Sequence, residues 1–466
     1  MMNAPAIHIS GADRQLHLRH RIGNIARAQA RGALAVAAVL VCASVARAQF
    51  VFEPPVDFSF DFDVWPTSIG YGHFNDDGLL DLAVTGRNND GLMLILMGSE
   101  QTGFEPAVPL EVGRQTDWVA VEFLDGDPHL DLGIAPRGGI GKVTVLKGAG
   151  GGAFGDRTDY PVGRGPSHMA AADFDGDGDM DFAVMDNTSA TVTLMLNDGN
   201  AVFTSSGQIN HVGRLGRGLS GAFYLTAADF DGDRDIDLAV ARATGYVTVL
   251  MNNGDATFAK PVHYAAGTAT GIAAGDVDGD GDMDIVFADL TLAAPGFLGV
   301  LRNQGNGLFG DLAKFPMPGN TMWFVALADL DGDGLLDPIV TDAFGNRLFL
   351  FHNESADGQL ALADPQQINV AGFPRSVFAV DLDDDCDLDL LVASISTHRV
   401  QVLINETPQV EPCRSAATSG KSPGRFAPRK KTQAKSPAPR RPVIADTNAD
   451  GRIDAADLAA ALQEWR

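Results

Sequence analysis

Basic residues are scarce in this chain. Thirty-four Lys and Arg stand against 60 Asp and Glu, a formal net charge of −26. An excess of anions on that scale excludes nucleic acid as a partner. The imbalance is uneven: residues 49–413 hold 17 basic against 54 acidic residues, whereas residues 414–441 hold nine basic and no acidic ones. Cysteine is rarer still, three in 466 residues, which rules out a disulfide-built scaffold. Long apolar runs are missing too. The only candidate, "GALAVAAVLVCASV" at residues 32–45, is shorter than the roughly 20 residues a membrane span needs.

That short run reads as an export signal instead. Arg19, Arg21, Arg27 and Arg31 precede it, and Ala46-Arg47-Ala48 follows with the small-x-small pattern of a cleavage site. Residues 1–48 are therefore expected to be removed, leaving a secreted protein, extracellular, periplasmic or on the cell surface, with no membrane span. Cys386 and Cys413 remain, and two thiols in an exported chain invite one disulfide.

Aspartate is abundant, and it is patterned. "DFDGDGDMD" at residues 173–181 places carboxylates on alternate positions. Two carboxylates about 4 Å apart repel by about 4 kcal/mol at an effective dielectric near 20. A hard divalent cation would reverse the sign of every such pair. The same nine-position frame fits "HFNDDGLLD", "FLDGDPHLD", "DFDGDRDID", "DVDGDGDMD", "DLDGDGLLD" and "DLDDDCDLD", ending at Asp81, Asp131, Asp237, Asp284, Asp337 and Asp389. Positions five and nine are Asp in every copy. Position three is Asp except for Asn75, and position one is Asp except for His73 and Phe123. Position seven varies, as expected if it offers only a backbone carbonyl, and positions two and eight stay apolar to pin the loop into a core.

The flanks repeat as well. A run of small residues such as "MAAADF" or "GIAAGDV" precedes each loop and suits a strand near a crowded axis. Apolar residues such as "DLAV" follow, then a β-rich strand such as "TVTLML" or "YVTVLM", a turn such as "NDGN", and a Phe that opens a fourth strand. Four strands per unit and seven units predict an all-β, seven-bladed propeller of four-stranded blades over residues 49–412. The phase of the repeat predicts how it closes. "FVFEPPVDFSF" matches a fourth strand and "RVQVLINE" a third, so the two ends of the repeat region should share the last blade.

The loop, the small-residue strand before it and "VLxNxG…F" after it resemble the FG-GAP or VCBS-type repeat of integrin α-subunit propellers and many secreted bacterial proteins. The resemblance implies Ca²⁺ between the first and second strands of a blade. Carried over by position, the implied ligands are Asp173, Asp175, Asp177 and Asp181; Asp229, Asp231, Asp233 and Asp237; Asp276, Asp278, Asp280 and Asp284; Asp329, Asp331, Asp333 and Asp337; and Asp381, Asp383, Asp385 and Asp389. The first two copies depart from the pattern. His73 is a poor ligand for a hard cation and Phe123 is none, so weak or empty sites are expected there.

Residues 413–441 are rich in Ser, Pro, Lys and Arg and read as a flexible basic linker. In residues 442–466, Asp446, Asn448, Asp450, Gly451, Arg452, Asp454 and Asp457 fall on positions 1, 3, 5, 6, 7, 9 and 12 of an EF-hand loop, Arg452 through its carbonyl. A short helix carrying Leu458, Leu462 and Trp465 would follow. The segment resembles one half of a dockerin, a module that pairs two such halves to bind cohesin. Folding on a cohesin-like partner, on the propeller or only with Ca²⁺ are the alternatives for it.

The propeller face opposite the acidic loops is the expected ligand face. Trp118, His168 and Tyr224 lie five residues before their loops, Trp323 beside the equivalent Phe324, and Trp65, Arg114, Arg164, Arg217 and Arg375 nearby. Two readings are open: a ring at the axial mouth that stacks on sugars and binds polar or acidic groups, or aromatic wedges between blades. Recurrence of the acidic clusters in almost every unit marks them as metal ligands and not as paired acid and base, and no Ser-His-Asp order or HExxH motif is present. The expectation is a monomeric, calcium-binding adhesion or binding module for an extracellular glycan or protein. A calcium-dependent enzyme, such as a polysaccharide lyase or a phospholipase-like hydrolase, is the alternative.

Overall fold

The computed structural model describes residues 49–410, apart from 61–62, 89, 101–102, 139–140, 210–221, 244, 291–294, 320 and 384. The expected signal, linker and EF-hand-like segment lie outside the described residues, as do Arg217 and Cys413. Among the described residues there is no helix; the chain forms seven four-stranded antiparallel sheets in sequence order. Blades 1 to 6 span residues 65–111, 116–161, 166–209, 222–265, 269–316 and 322–369. Blade 7 takes three strands, Pro374–Val380, Asp389–Ser394 and Arg399–Leu403, from one end of the repeat region and Val56–Ser59 from the other. Val56 pairs with Val402 and Ser59 with Arg399, the closure that the phase of the repeat predicts.

Each blade is covered on both faces by its neighbours, and the residue pattern follows from that. Second strands such as Asp181–Asp186 and Asp284–Asp289 are buried at every position, so they read as continuous runs and not as alternation. Outer strands such as Thr158–Pro161 are mostly exposed. First strands lie side by side around the axis, blade 1 meeting blade 7 to complete the ring. Their small residues are a steric requirement. A Cβ on Gly271 would stand 2.6 Å from the Phe324 Cα of the next blade. Between blades the core is apolar; Val143 and Val145 of blade 2, for example, pack with Phe182 and Val184 of blade 3.

One detail differs from expectation. The recurrent Phe opens the outer strand in blade 3 (Phe203–Ile209) and blade 5 (Phe309–Pro316) only. In blades 1 and 2, Phe104 and Phe154 belong to separate two-stranded ribbons, and in blade 4 Phe258 makes an isolated bridge to Asn252. Pro106 and Pro261, just after Phe104 and Phe258, lack the N–H that a continuous strand would use. The ring is nonetheless used as core: Phe309 lies edge-on to Phe230 at 5.5 Å, and Phe154 to Phe74 at 5.4 Å.

Candidate functional site

The acidic loops join the first and second strands of each blade and so share one face. Their geometry starts at position nine, where the Asp is fully buried in all seven copies. In blade 3, Asp181 accepts hydrogen bonds from the Phe174 N–H at 3.0 Å and the Asn197 N–H at 2.7 Å. The same two bonds recur at Asp81, Asp131, Asp237, Asp284, Asp337 and Asp389, including the two copies that depart at position one. Position nine is therefore invariant for a structural reason: it ties the start of its loop to the end of the third strand. Burial first of all, with the neighbouring carboxylates adding, lifts Asp181, Asp284 and Asp337 to about 7 and Asp237 and Asp389 to about 6, against the pull of those N–H donors.

Position one is the organiser of the turn. Asp173 accepts from the Gly176 N–H at 2.7 Å and the Gly178 N–H at 2.9 Å. The bond to position six recurs at Asp229, Asp276, Asp329 and Asp381. Position six has positive φ, natural for Gly178 at 98° but unusual for Arg234 at 81° and Cys386 at 75°. Cys386 is disulfide-bonded; its expected partner, Cys413, lies outside the described residues. Oxygens of positions one, three and nine lie within 4.8 Å of one another in the groups Asp173/Asp175/Asp181, Asp229/Asp231/Asp237, Asp276/Asp278/Asp284 and Asp329/Asp331/Asp337. Position five lies beside position three without joining those four groups; Asp177, for instance, neighbours Asp175 and accepts from the Asp179 N–H at 3.0 Å. Asp333 instead joins Asp331 and His352 in a further group.

The residue just before the one whose N–H binds position nine separates the copies. In blade 2, the Lys147 ammonium lies 3.3 Å from Asp125, in the loop that Phe123 opens. Arg302 reaches Asp278 at 3.5 Å and His352 reaches Asp331 at 3.4 Å. Blades 3 and 4 have Leu196 and Met251 there and so bring no cation. One residue further on, Asn acts as a clasp between blades. Asn252 Nδ2 donates to the Phe174 carbonyl of blade 3 at 2.8 Å and to the Ile236 carbonyl of its own loop at 3.1 Å. Asn197, Asn303, Asn353 and Asn405 repeat this. In the sequence alone this Asn reads as a turn residue only.

On the opposite face, a cavity of about 340 Å³ opens near the axis among blades 1, 2, 3, 6 and 7. Trp65, Trp323 and Phe373 supply its aromatic wall, and Ser167, Asn187 and Ser396 its small polar groups. Its charged floor is Asp117, fully buried, with Arg87 donating to both oxygens at 2.7 and 3.0 Å, Arg137 at 3.4 Å and Arg375 at 3.9 Å. Burial raises the Asp117 carboxyl, but the Arg87 hydrogen bonds and the charges of Arg375, Arg87 and Arg137 overcome that and hold it below the usual carboxylate range. The Arg375 guanidinium lies 4.5 Å over the Trp323 ring.

Residues 124–184, 173–240, 229–287 and 287–340 match the family model described as the FG-GAP-like repeat. The chain carries FG-GAP-like repeats. The propeller they build resembles BBS1N, solved in complex with ARL6DN. With the lead-soaked crystal the TM-score is 0.55 at 10% identity, over 78% of this chain and 98% of that one. With the mercury-soaked crystal it is 0.53 at 9% identity, over the same shares. A lectin from Agrocybe aegerita, whose description concerns recognition of non-reducing terminal N-acetylglucosamine, gives a TM-score of 0.45 at 18% identity, over 64% of this chain and 79% of that one. At these identities the likeness concerns the fold alone. None of the curated proteins matches the chain.

Within the propeller, the residues expected on the ligand face divide into three groups. Trp65, Trp323 and Arg375 line the cavity. Trp118, His168 and Tyr224 form an aromatic plug on the axis with Phe324 and Phe378; Trp118 lies 3.9 Å from His168 and 5.9 Å from Phe324, centroid to centroid. Tyr224 touches the cavity wall only through its hydroxyl, which accepts from Trp323 Nε1 at 3.2 Å. Arg114 and Arg164 are exposed and do not line the cavity. Asp117, Arg87 and Arg137 are not among the residues the sequence marks for this face. Arg87 and Arg137 each sit six residues after a position-nine Asp, where the other blades have Asn187, Ala243, Leu290, Ala343 and Ile395.

Proposed function

We propose that this chain is a secreted, calcium-loaded propeller that serves as a binding or adhesion module for an extracellular glycan or protein. The ligand sits on the face opposite the acidic loops. The cavity carries this reading: it joins exposed aromatic surface to buried charge, the composition of a small-ligand site. Trp65, 44% exposed at its rim, is available for stacking. A glycan and protein array probed with the full chain tests the reading. Signals lost in Trp65→Ala and Trp323→Ala variants that still melt cooperatively support it, and an array without any signal refutes it.

The residues fit calcium at five loops by their sequence. In four of them carboxylate oxygens lie within 4.8 Å of one another, a spacing that matches two Ca–O bonds of about 2.4 Å each. Asp173, Asp175 and Asp181 and their equivalents would hold the ion, which would act as a staple across each turn. Excess EDTA should lower the melting temperature by about 10 °C or more, consistent with losing several kcal/mol of ligand linkage. Elemental analysis of calcium-equilibrated protein should return about five atoms per chain from these loops; an unchanged melting curve with EDTA refutes the staple.

A further inference from the structure

The nature of the ligand can be narrowed further, on the assumption that the axial cavity is the binding site. Arg375 is the informative residue. It is 6% exposed, and its Nε is enclosed with no hydrogen-bond partner. None of its N–H groups reaches an acceptor among the described residues within hydrogen-bond distance; its closest anion, Asp117, is 3.9 Å away and already held in a bidentate pair by Arg87. An enclosed guanidinium N–H with no acceptor is costly, and the Asp117 charge and the Trp323 ring offset that cost without supplying a hydrogen bond. Three arginines around one carboxylate leave two positive charges in excess, on a chain whose net charge is −26. One planar anion placed in the cavity would meet Arg375 and Arg137 together, in the fork geometry that guanidinium offers to carboxylate.

The remaining walls say what carries that anion. Trp323 has one face covered by Arg375, whereas Trp65 stands half exposed at the rim with its Nε1 tied to Asp63 at 3.1 Å. A ring fixed in this way offers a flat apolar surface, and the hydroxyl and amide groups of Ser167, Asn187 and Ser396 lie around the same cavity. A volume of about 340 Å³ has room for one sugar ring and not for an extended chain. We infer that the cavity takes a single carboxylate-bearing sugar unit, its carboxylate on Arg375 and Arg137 and its ring against Trp65.

Calorimetric titration of the full, calcium-loaded chain tests this. The probes are methyl glycosides of galacturonate and glucuronate, the matching neutral glycosides, and inorganic sulfate. Either uronide should bind at least about tenfold more tightly than its neutral counterpart, the net difference made by its contacts to the two guanidinium groups. Arg375→Met should erase that preference. Arg137→Gln, at a more exposed position that leaves the core intact, should weaken it severalfold. Trp65→Ala should weaken uronide binding and leave sulfate binding as it was. Neutral and acidic glycosides binding alike, sulfate binding as tightly as the uronides, or no uronide binding at all would each overturn the inference. An array ligand held equally by the wild type and Arg375→Met would overturn it too, while leaving the binding-module reading in place.

Discussion

His168 shows what a single side chain concedes when it becomes core. It is buried beside Trp118 and Tyr224, and its Nδ1 has no hydrogen-bond partner. Burial, with the charge of Arg375 adding, pushes its pKa down from 6.5 to about 3. A base with a depressed folded pKa contributes its full stability above its unfolded value and loses it as pH falls. The window is therefore pH 6.5 down to about 3. The loss approaches about 1.4 kcal/mol for each pH unit in that range. His168→Leu should flatten urea-unfolding stability between pH 6.5 and pH 4.5 by nearly that slope. Equal slopes in variant and wild type would mean the imidazole is hydrated or paired.

The loop is the element that repeats, and its parts separate by role. Position nine is a fastener made of two backbone hydrogen bonds, present whether or not the loop has a full ligand set. Positions one and three are both Asp in only five copies. Asp131→Asn, in the second copy, should cost about 2 kcal/mol whether or not calcium is present, because a buried N–H then faces an amide donor. Asp175→Asn should lower stability in calcium and, by removing one of the crowded charges, raise it in EDTA. Scanning calorimetry of both variants in both buffers decides the matter, and equal calcium dependence would contradict this division. Much of this was legible in the chain because copies could be compared with one another: alternate Asp positions, apolar anchors at two and eight, and a constant end point. What recurs is visible in such a comparison, and what occurs once or twice is averaged away. Arg87, Asp117, Arg137 and Arg375 come from three blades and make their site by breaking the repeat. Their trace in the sequence was a deviation, Arg six residues after position nine in blades 1 and 2 alone. The Asn clasp was hidden for the opposite reason. It recurs faithfully, but its partner is a carbonyl in the preceding blade, more than 70 residues away in sequence, and "NxG" reads locally as a turn.

At the scale of the whole molecule, the ring depends on one strand. Val56–Ser59 completes blade 7, with Asp57 accepting from Gln401 at 2.7 Å and also from Arg399, and Phe58 lying edge-on to Phe104 at 5.1 Å. A protein that starts at residue 61 should expose Arg399–Leu403 as an open sheet edge. It should melt well below the full ring and self-associate on gel filtration; a monomer with an unchanged melting curve would show that closure contributes nothing. That same strand has a temporal consequence. Asp57 and Gln401 are 344 residues apart, and bringing such distant segments together costs about 5 kcal/mol of chain entropy. At a synthesis rate of roughly 5–20 residues per second, the strand made earliest waits on the order of half a minute for the partner made last. During that interval the growing stack of blades is an open arc, and from blade 3 onward the hydrogen bonds that Asn lends to the preceding blade are in place to hold neighbours in register until the ends can meet.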